Sequence, residues 1–277
     1  MSYKRLLTIQ DISCVGQCSL TVALPIISAC GVECAILPSA VLSTHTGGFT
    51  GFTVRDLTDD LPGIKDHWVK ENLSFDAIYT GYLGSTKQIG YVKDIFAAFA
   101  NENCKTVVDP AMGDHGKLYP LFDEVYAAAM AELCAQADIM VPNITEACFM
   151  TGHPYQENYD EAYVDALLEK LGAMSKGTVV LTGVGYTPET TGVVIYRDGK
   201  KWYYSHAREP KSYHGTGDIF ASAFVGAYAG GKTMEQAAAI AADYVALCIR
   251  KTINDPSHWY GVKFETALGD LIQMLNK

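Results

Sequence analysis

Long apolar runs are missing from this chain: no stretch of about 18 residues is free of polar groups, which excludes a transmembrane helix. Residues Met1 to Gln10 lack the apolar region and cleavage site of a secretion signal and pass straight into a strand-like run, so a cytoplasmic protein is expected. Cations are in the minority, 21 Lys and Arg against 31 Asp and Glu, for a formal net charge of −10. That balance argues against nucleic acid or an anionic membrane as the main partner. Repeats, low-complexity tracts and linkers are absent as well, so residues 1–277 are expected to form a single domain. With 49% hydrophobic and only 19% charged residues, the composition also excludes disorder. Cysteine is not scarce, at eight residues, but without a secretion signal disulfides are not expected. Cys14/Cys18 and Cys30/Cys34 have a spacing that zinc permits, yet both pairs sit in apolar context and read better as buried small hydrophobes.

What is present is an alternation of short apolar runs with helical stretches. Leu6 to Gln10, Cys34 to Leu37, Ala77 to Thr80, Thr106 to Val108, Ile139 to Val141 and Thr178 to Leu181 read as strands. Ser19 to Ala29, Lys87 to Ala100, Asp123 to Ala135 and Tyr159 to Met174 carry helical spacing between them. This βαβ pattern predicts a mostly parallel sheet covered on both faces, a three-layer αβα sandwich. Gly192 to Tyr196 and Lys201 to Ser205 flank an Asp198-Gly199 turn and read as a hairpin. Helices are expected over Asp218 to Tyr228, Met234 to Lys251 and Phe264 to Leu275.

Polar residues follow the strands directly: Asp11, Gly81-Tyr82, Asp109, Asn143 and Thr182-Gly183. In a parallel sheet these lie along one rim, beyond the carboxyl ends where ligands bind. Gly215-Thr216-Gly217-Asp218 opens an apolar helix. Two glycines around a threonine let backbone N–H groups converge on an anion at the helix start. Asp218 in the first turn then fits a general base facing a transferring phosphoryl group; the plain alternative is a turn with a capping Asp. Asp109, Asn143 and Glu146, with Asp114 nearby, are oxygen donors of the kind Mg²⁺ prefers. Taken singly, each also reads as a helix cap or turn residue.

In these segments the chain resembles the pyridoxal kinases of the ribokinase-like superfamily. The resemblance rests on Thr8-Ile9-Gln10 with Gly16, Ser43-Thr44-His45-Thr46-Gly47, Gly81-Tyr82-Leu83-Gly84-Ser85, Val108-Asp109-Pro110-Ala111-Met112-Gly113-Asp114, Pro142-Asn143-Ile144-Thr145-Glu146 and Gly215-Thr216-Gly217-Asp218. It implies an αβα sandwich without a separate lid domain, a homodimer, and transfer of the γ-phosphoryl of ATP to the 5′-hydroxymethyl of pyridoxal, pyridoxamine or pyridoxine. By position, Asp218 would be the base, and Gly215, Thr216 and Gly217 the anion hole. Asp109, Asp114, Glu146, Thr182 and Thr216 would attend ATP, with Mg²⁺ at Asp109 and Glu146, Asn143 behind them, and a monovalent cation such as K⁺ nearby. Asp11, Thr46, Gly47 and Tyr82 would line the vitamin pocket, with Cys18, Ala40 and Leu42 as its apolar wall. His45 is either a pocket residue or a buried structural histidine.

The chain departs from the family pattern at Asp11, where the family has a serine that bonds the ring nitrogen. A carboxylate there would favour a protonated pyridinium by charge. Two other functions compete. One is a kinase for hydroxymethylpyrimidine; sugar kinases fit less well, because their N-terminal Gly-Gly pair and lid strands are not found. The other is a non-catalytic B6-binding protein, which would have no need of Asp218.

Overall fold

The computed structural model describes residues 3–175 and 177–277. In chain order the elements are β1 (Arg5–Ser13), α1 (Leu20–Ala29), β2 (Glu33–Leu42), β3 (Val54–Asp56), α2 (Leu61–Lys70), β4 (Ala77–Thr80), α3 (Thr86–Phe99) and β5 (Lys105–Val108). They continue with β6 (Gly113–Asp114), β7 (Lys117–Leu118), α4 (Glu124–Gln136), β8 (Ile139–Met140), α5 (Ile144–Thr151), α6 (Glu161–Met174) and β9 (Thr178–Thr182). Last come β10 (Thr190–Arg197), β11 (Lys200–Ala207), α7 (Thr216–Ala229), α8 (Met234–Thr252) and α9 (Leu268–Leu275).

Among the described residues the main sheet has nine strands in the order β11-β10-β9-β8-β5-β4-β1-β2-β3. The six from β9 to β2 are parallel neighbours, while β3 and the β10–β11 hairpin add antiparallel edges. Side chains alternate across each strand. Leu7, Ile9, Ile78, Val108 and Met140 therefore face helices α3 to α6. Leu6, Tyr79, Val107, Ile139 and Val180 face α1, α7 and α8. This is the expected three-layer αβα sandwich.

Several expected boundaries move. β2 runs on past Pro38 to Leu42, because Pro38 pairs with Gln10 and the chain then takes up one extra residue against β1 before Val41 pairs with Ile12. The helix expected over Phe264 to Leu275 is a 3₁₀ turn, Phe264–Ala267, followed by α9. β3 and α2 were not foreseen. β3 is three exposed residues, and α2 opens on Leu61-Pro62-Gly63 with Leu61 its one buried residue, so neither carries a clear apolar period. Cys30 packs against α7, where a Cβ at Gly226 would meet its sulfur at 2.7 Å. The thiol fills space between helices, as a small hydrophobe does, but the burial expected of the two pairs is not found: Cys18, Cys30 and Cys34 are only partly buried and Cys14 is exposed.

Candidate active site

The parallel strands bring their carboxyl ends to one rim, as the βαβ reading required. Asp11 lies near the end of β1, Tyr82 just after β4, Asp109 just after β5, Asn143 after β8, and Thr182 ends β9. Backbone bonds stitch this rim: Asp109 N–H donates to Thr80 O at 2.9 Å and Thr182 N–H to Pro142 O at 2.9 Å. The start of α7 meets the same rim, through the contact of Asp218 with Ser19.

Gly215 is the N-cap of α7 in the left-handed conformation, φ 78°, with no side-chain cap. A side chain there is doubly barred, since a Cβ would stand 1.7 Å from Gln17 O. The first backbone bond into the helix runs from Ile219 N–H to Gly215 O. Among the described residues the N–H groups of Thr216, Gly217 and Asp218 are left open at the positive end of the helix dipole, an anion-binding arrangement. The Thr216 hydroxyl donates to Tyr213 O at 3.1 Å.

Asp218 is part-buried, and desolvation above all pushes its carboxyl up to about 7, with the nearby Asp11 charge adding to the rise. The Ser19 N–H donates to Asp218 Oδ2 at 3.1 Å and opposes the shift. The Ser19 hydroxyl donates in the other direction, to Asp11 Oδ1 at 2.5 Å, and Ser13 Oγ donates to Asp11 Oδ2 at 2.9 Å. Ser19 thus joins the buried Asp11 to the part-buried Asp218, and it does so at φ 55°, a strained backbone for a residue with a side chain. Nothing in the sequence marked it, because the strain arises only where the loop before α1 meets α7. Asp11 is buried and its pKa is raised by desolvation, with both serines pulling the other way. Each of its oxygens keeps a lone pair beyond its serine bond. Cys18 lies against Asp218, and its thiol is driven well up by burial and by the Asp218 and Asp11 charges.

On the other side of the rim, Asn143 and Glu146 form a capping box on α5. Asn143 Oδ1 accepts from Glu146 N–H and Glu146 Oε2 from Asn143 N–H, both at 2.9 Å. Glu146 Oε1 takes Met112 N–H at 2.9 Å, and Asn143 Nδ2 donates to Gly113 O at 2.8 Å. The cap role weighed for Asn143 is thus realised. Asp109 is buried beside them, its carboxyl raised by desolvation first and then by the charges of Glu146 and Asp218. Glu146 is raised by burial against the pull of its backbone donors. Among the described residues no Lys or Arg forms an ion pair with Asp11, Asp109, Glu146 or Asp218. No group of three or more His, Cys, Asp or Glu among them is arranged as a ready metal cage. Asp114 sits exposed in β6 with Oδ1 on His115 N–H, at the edge of this cluster, where its charge adds to the rise of Glu146. Thr182 Oγ1 donates to Pro142 O at 3.3 Å.

The pocket side is built from loops. His45 Nδ1 accepts from Gly47 N–H at 3.0 Å, which leaves Nε2–H to donate to Tyr260 O at 2.7 Å. His45 is therefore a neutral strut tying its loop to the 258–261 segment, its pKa lowered by burial. Gly47 lies under His214, where a Cβ would come within 2.7 Å of the ring, so this loop abuts the anion loop. Thr46 is exposed beside it, and Ala40 and Leu42 are buried in β2. The Tyr82 ring packs against Phe122 at 5.3 Å, and burial with the Asp11 charge lifts its phenol to about 12. Gln88, buried, accepts from Gly84 N–H at 2.7 Å and donates to Ser39 O and Thr58 Oγ1, which fixes the Gly81–Ser85 turn. Tyr119 was also not foreseen. It follows β7 with its N–H on Met112 O at 2.9 Å, and its phenol is pushed up by burial first and then by the charges of Glu146, Asp114, Asp218 and Asp109.

A sequence profile of the phosphomethylpyrimidine kinase family matches residues 24–261. The chain is 35% identical to the pyridoxal kinase of Lactobacillus plantarum, whose crystal structure superposes with a TM-score of 0.90 over 99% of this chain and 97% of that one. It is likewise 35% identical to a Bacteroides thetaiotaomicron structure assigned to the phosphomethylpyrimidine kinases and determined with pyridoxal, TM-score 0.91, over 98% and 96% of the two chains. A pyridoxal kinase of Granulibacter bethesdensis is 27% identical over 233 residues, 79% of this chain and 80% of that protein. The chain therefore belongs to the phosphomethylpyrimidine kinase family, among the pyridoxal kinases of the ribokinase-like superfamily, and is a kinase.

Proposed function

We propose that this protein phosphorylates the 5′-hydroxymethyl group of a B6 vitamer (pyridoxal, pyridoxamine or pyridoxine) with ATP, acting as a single domain over residues 1–277. The observation that carries the reading is Asp218: a part-buried carboxylate whose pKa is pushed up to about 7, set at the third position of a helix whose first N–H groups are open among the described residues. Asp218 takes the proton of the substrate hydroxyl as that oxygen attacks the γ-phosphorus in line. The bond to the β–γ bridging oxygen breaks, and ADP leaves. The N–H groups of Thr216, Gly217 and Asp218 receive the charge that develops on the transferring group. Asp11, Thr46, Gly47 and Tyr82 hold the ring, while Thr182, Thr216 and Asp114 attend the phosphates.

Mg²⁺ fits the donor set at Asp109 and Glu146, two buried carboxylates with no cationic partner among the described residues, backed by Asn143. When bound, it supplies positive charge beside the phosphates. A monovalent cation such as K⁺, a homodimer and a cytoplasmic setting complete the proposal. Hydroxymethylpyrimidine is the second reading, favoured by the family description itself. The pyridoxal-containing Bacteroides thetaiotaomicron structure supports the vitamin instead.

The test is ATP consumption with Mg²⁺ and K⁺ against pyridoxal, pyridoxamine, pyridoxine and hydroxymethylpyrimidine, alongside Asp218→Ala. Turnover of vitamers that is lost in the variant supports the reading. Turnover of the pyrimidine alone overturns it in favour of the second.

A further inference from the structure

Tyr79 has no part in the chemistry above, yet it places a fully buried phenol on the side of the sheet that faces α7. Its hydroxyl faces Ser222 on α7 and Gln10 on β1, and lies within the field of Asp109 and Asp218. Tyr79 Oη, Gln10 Oε1 and Ser222 Oγ are all sealed from water, with no hydrogen-bond partner among the described residues. Three such oxygens facing one another in a closed core carry a cost unless they pair.

Their chemistry dictates how they pair. Gln10 Nε2 donates to Thr8 Oγ1 at 2.8 Å, which fixes the amide and turns Oε1 towards Gly81. A Cβ at Gly81 would stand 2.5 Å from that oxygen, so only glycine leaves it room. Oε1 can only accept, so the phenol hydrogen goes to it, and the phenol oxygen is left to accept from Ser222. Paired in that order they would extend the observed Gln10–Thr8 bond into a directed relay from α7 through β4 to β1: Ser222 to Tyr79 to Gln10 to Thr8. Ser222 lies one turn beyond Asp218, on the same face of α7. Around it the helix buries Ile219, Phe220, Ala223 and Phe224, and directional hydrogen bonds would add to that packing a preferred depth and rotation.

We infer that Tyr79 is a positioning residue: through Ser222 and Gln10 it locks the first two turns of α7 to the sheet, and so holds Asp218 and the open N–H groups at their working depth. This rests on the kinase reading for its catalytic consequence, but not for the lock itself.

Tyr79→Phe removes only the hydroxyl and keeps the ring's volume; Ser222→Ala tests the other end. In Tyr79→Phe the expected result is a kcat lower by about tenfold, from a base held less exactly in place, with KM for ATP and for pyridoxal within about twofold of wild type. Ser222→Ala should match it, and the double variant should be no worse than either single, as for two parts of one device. Amide hydrogen exchange across residues 216–229 should quicken in both single variants. Unchanged kcat in Tyr79→Phe overturns the inference whatever happens to the melting temperature. If wild type turns over none of the substrates, the kinase reading fails separately. Exchange then decides alone: faster exchange across α7 supports the lock, and wild-type exchange overturns it.

Discussion

Two helices begin at the rim of this sheet with an acid at the same place in the first turn, and they use it in opposite ways. In α5 the cap is Asn143 and the third residue is Glu146; each side chain bonds the other's backbone N–H, and Glu146 takes Met112 N–H as well. In α7 the cap is Gly215 and the third residue is Asp218. Glycine offers no side-chain oxygen, Asp218 bonds Ser19 of another loop instead of its own cap, and among the described residues the helix's first N–H groups stay open. A helix start that satisfies itself spends its acid on its own N–H groups, leaving only the remaining lone pairs for a cation. One that leaves its donors unpaired keeps them for an anion.

The largest expected effect separates the two acids by activity. Asp218→Asn should lower kcat by roughly 10²–10⁴, the usual worth of a general base, with little change in KM for ATP. The same variant should stabilise the ligand-free protein at alkaline pH. A free Asp titrates near 4, while folded Asp218 does so at about 7. Between those values the unfolded chain gives up its proton first, so stability falls as pH rises from about 4 to about 7 and stays lower above. Asn cannot ionise; about three pK units bound the relief at about 4 kcal/mol, which should show at pH 8 as a Tm several degrees above wild type. For the active enzyme, kcat/KM should rise through an acid limb near pH 7, measured from about pH 5.5 to 9.

Next comes the cap itself. Gly215→Ala forces a methyl against Gln17 O at φ 78° and displaces the open N–H groups. Loss of one such donor costs about 10²–10³ in kcat elsewhere, and steady-state kinetics with ATP should show a drop of that order. Glu146→Gln should invert the pattern at α5. Its amide can accept from Met112 or Asn143 but turns an NH₂ group towards the other, so the expected loss is about 1–3 kcal/mol in urea unfolding. A Glu146→Gln protein as stable as wild type would undo the contrast between the helices. The smallest effect is at Asp11, where Ser should shift the ratio of KM values among the vitamers; identical KM values for every vitamer would remove any role for the carboxylate in recognition.

The repeating strands and helices were legible because burial on a parallel sheet writes apolar runs that local periodicity reveals. Ala77–Thr80 came out with its observed ends. The carboxyl-end rim followed from that, since parallel strands must end together, and with it the placement of Asp109, Asn143 and Thr182. β3 and α2 escaped because they bury little. Ser19, Gln88 and Tyr119 escaped for another reason: each matters through partners far away in the chain, Ser19 with Asp218 and Gln88 with Ser39 and Thr58.

By itself the sequence determined the layered sheet, the rim, and the glycine-opened helix that carries Asp218, because all three depend on spacing along a short stretch of chain. Tertiary structure alone decided which acid became a cap and which was left free, that His45 is a strut, and that Asp11 and Asp218 share Ser19. Burial and hydrogen-bond partners set what a carboxylate does, and both come from segments that meet only when the chain has folded.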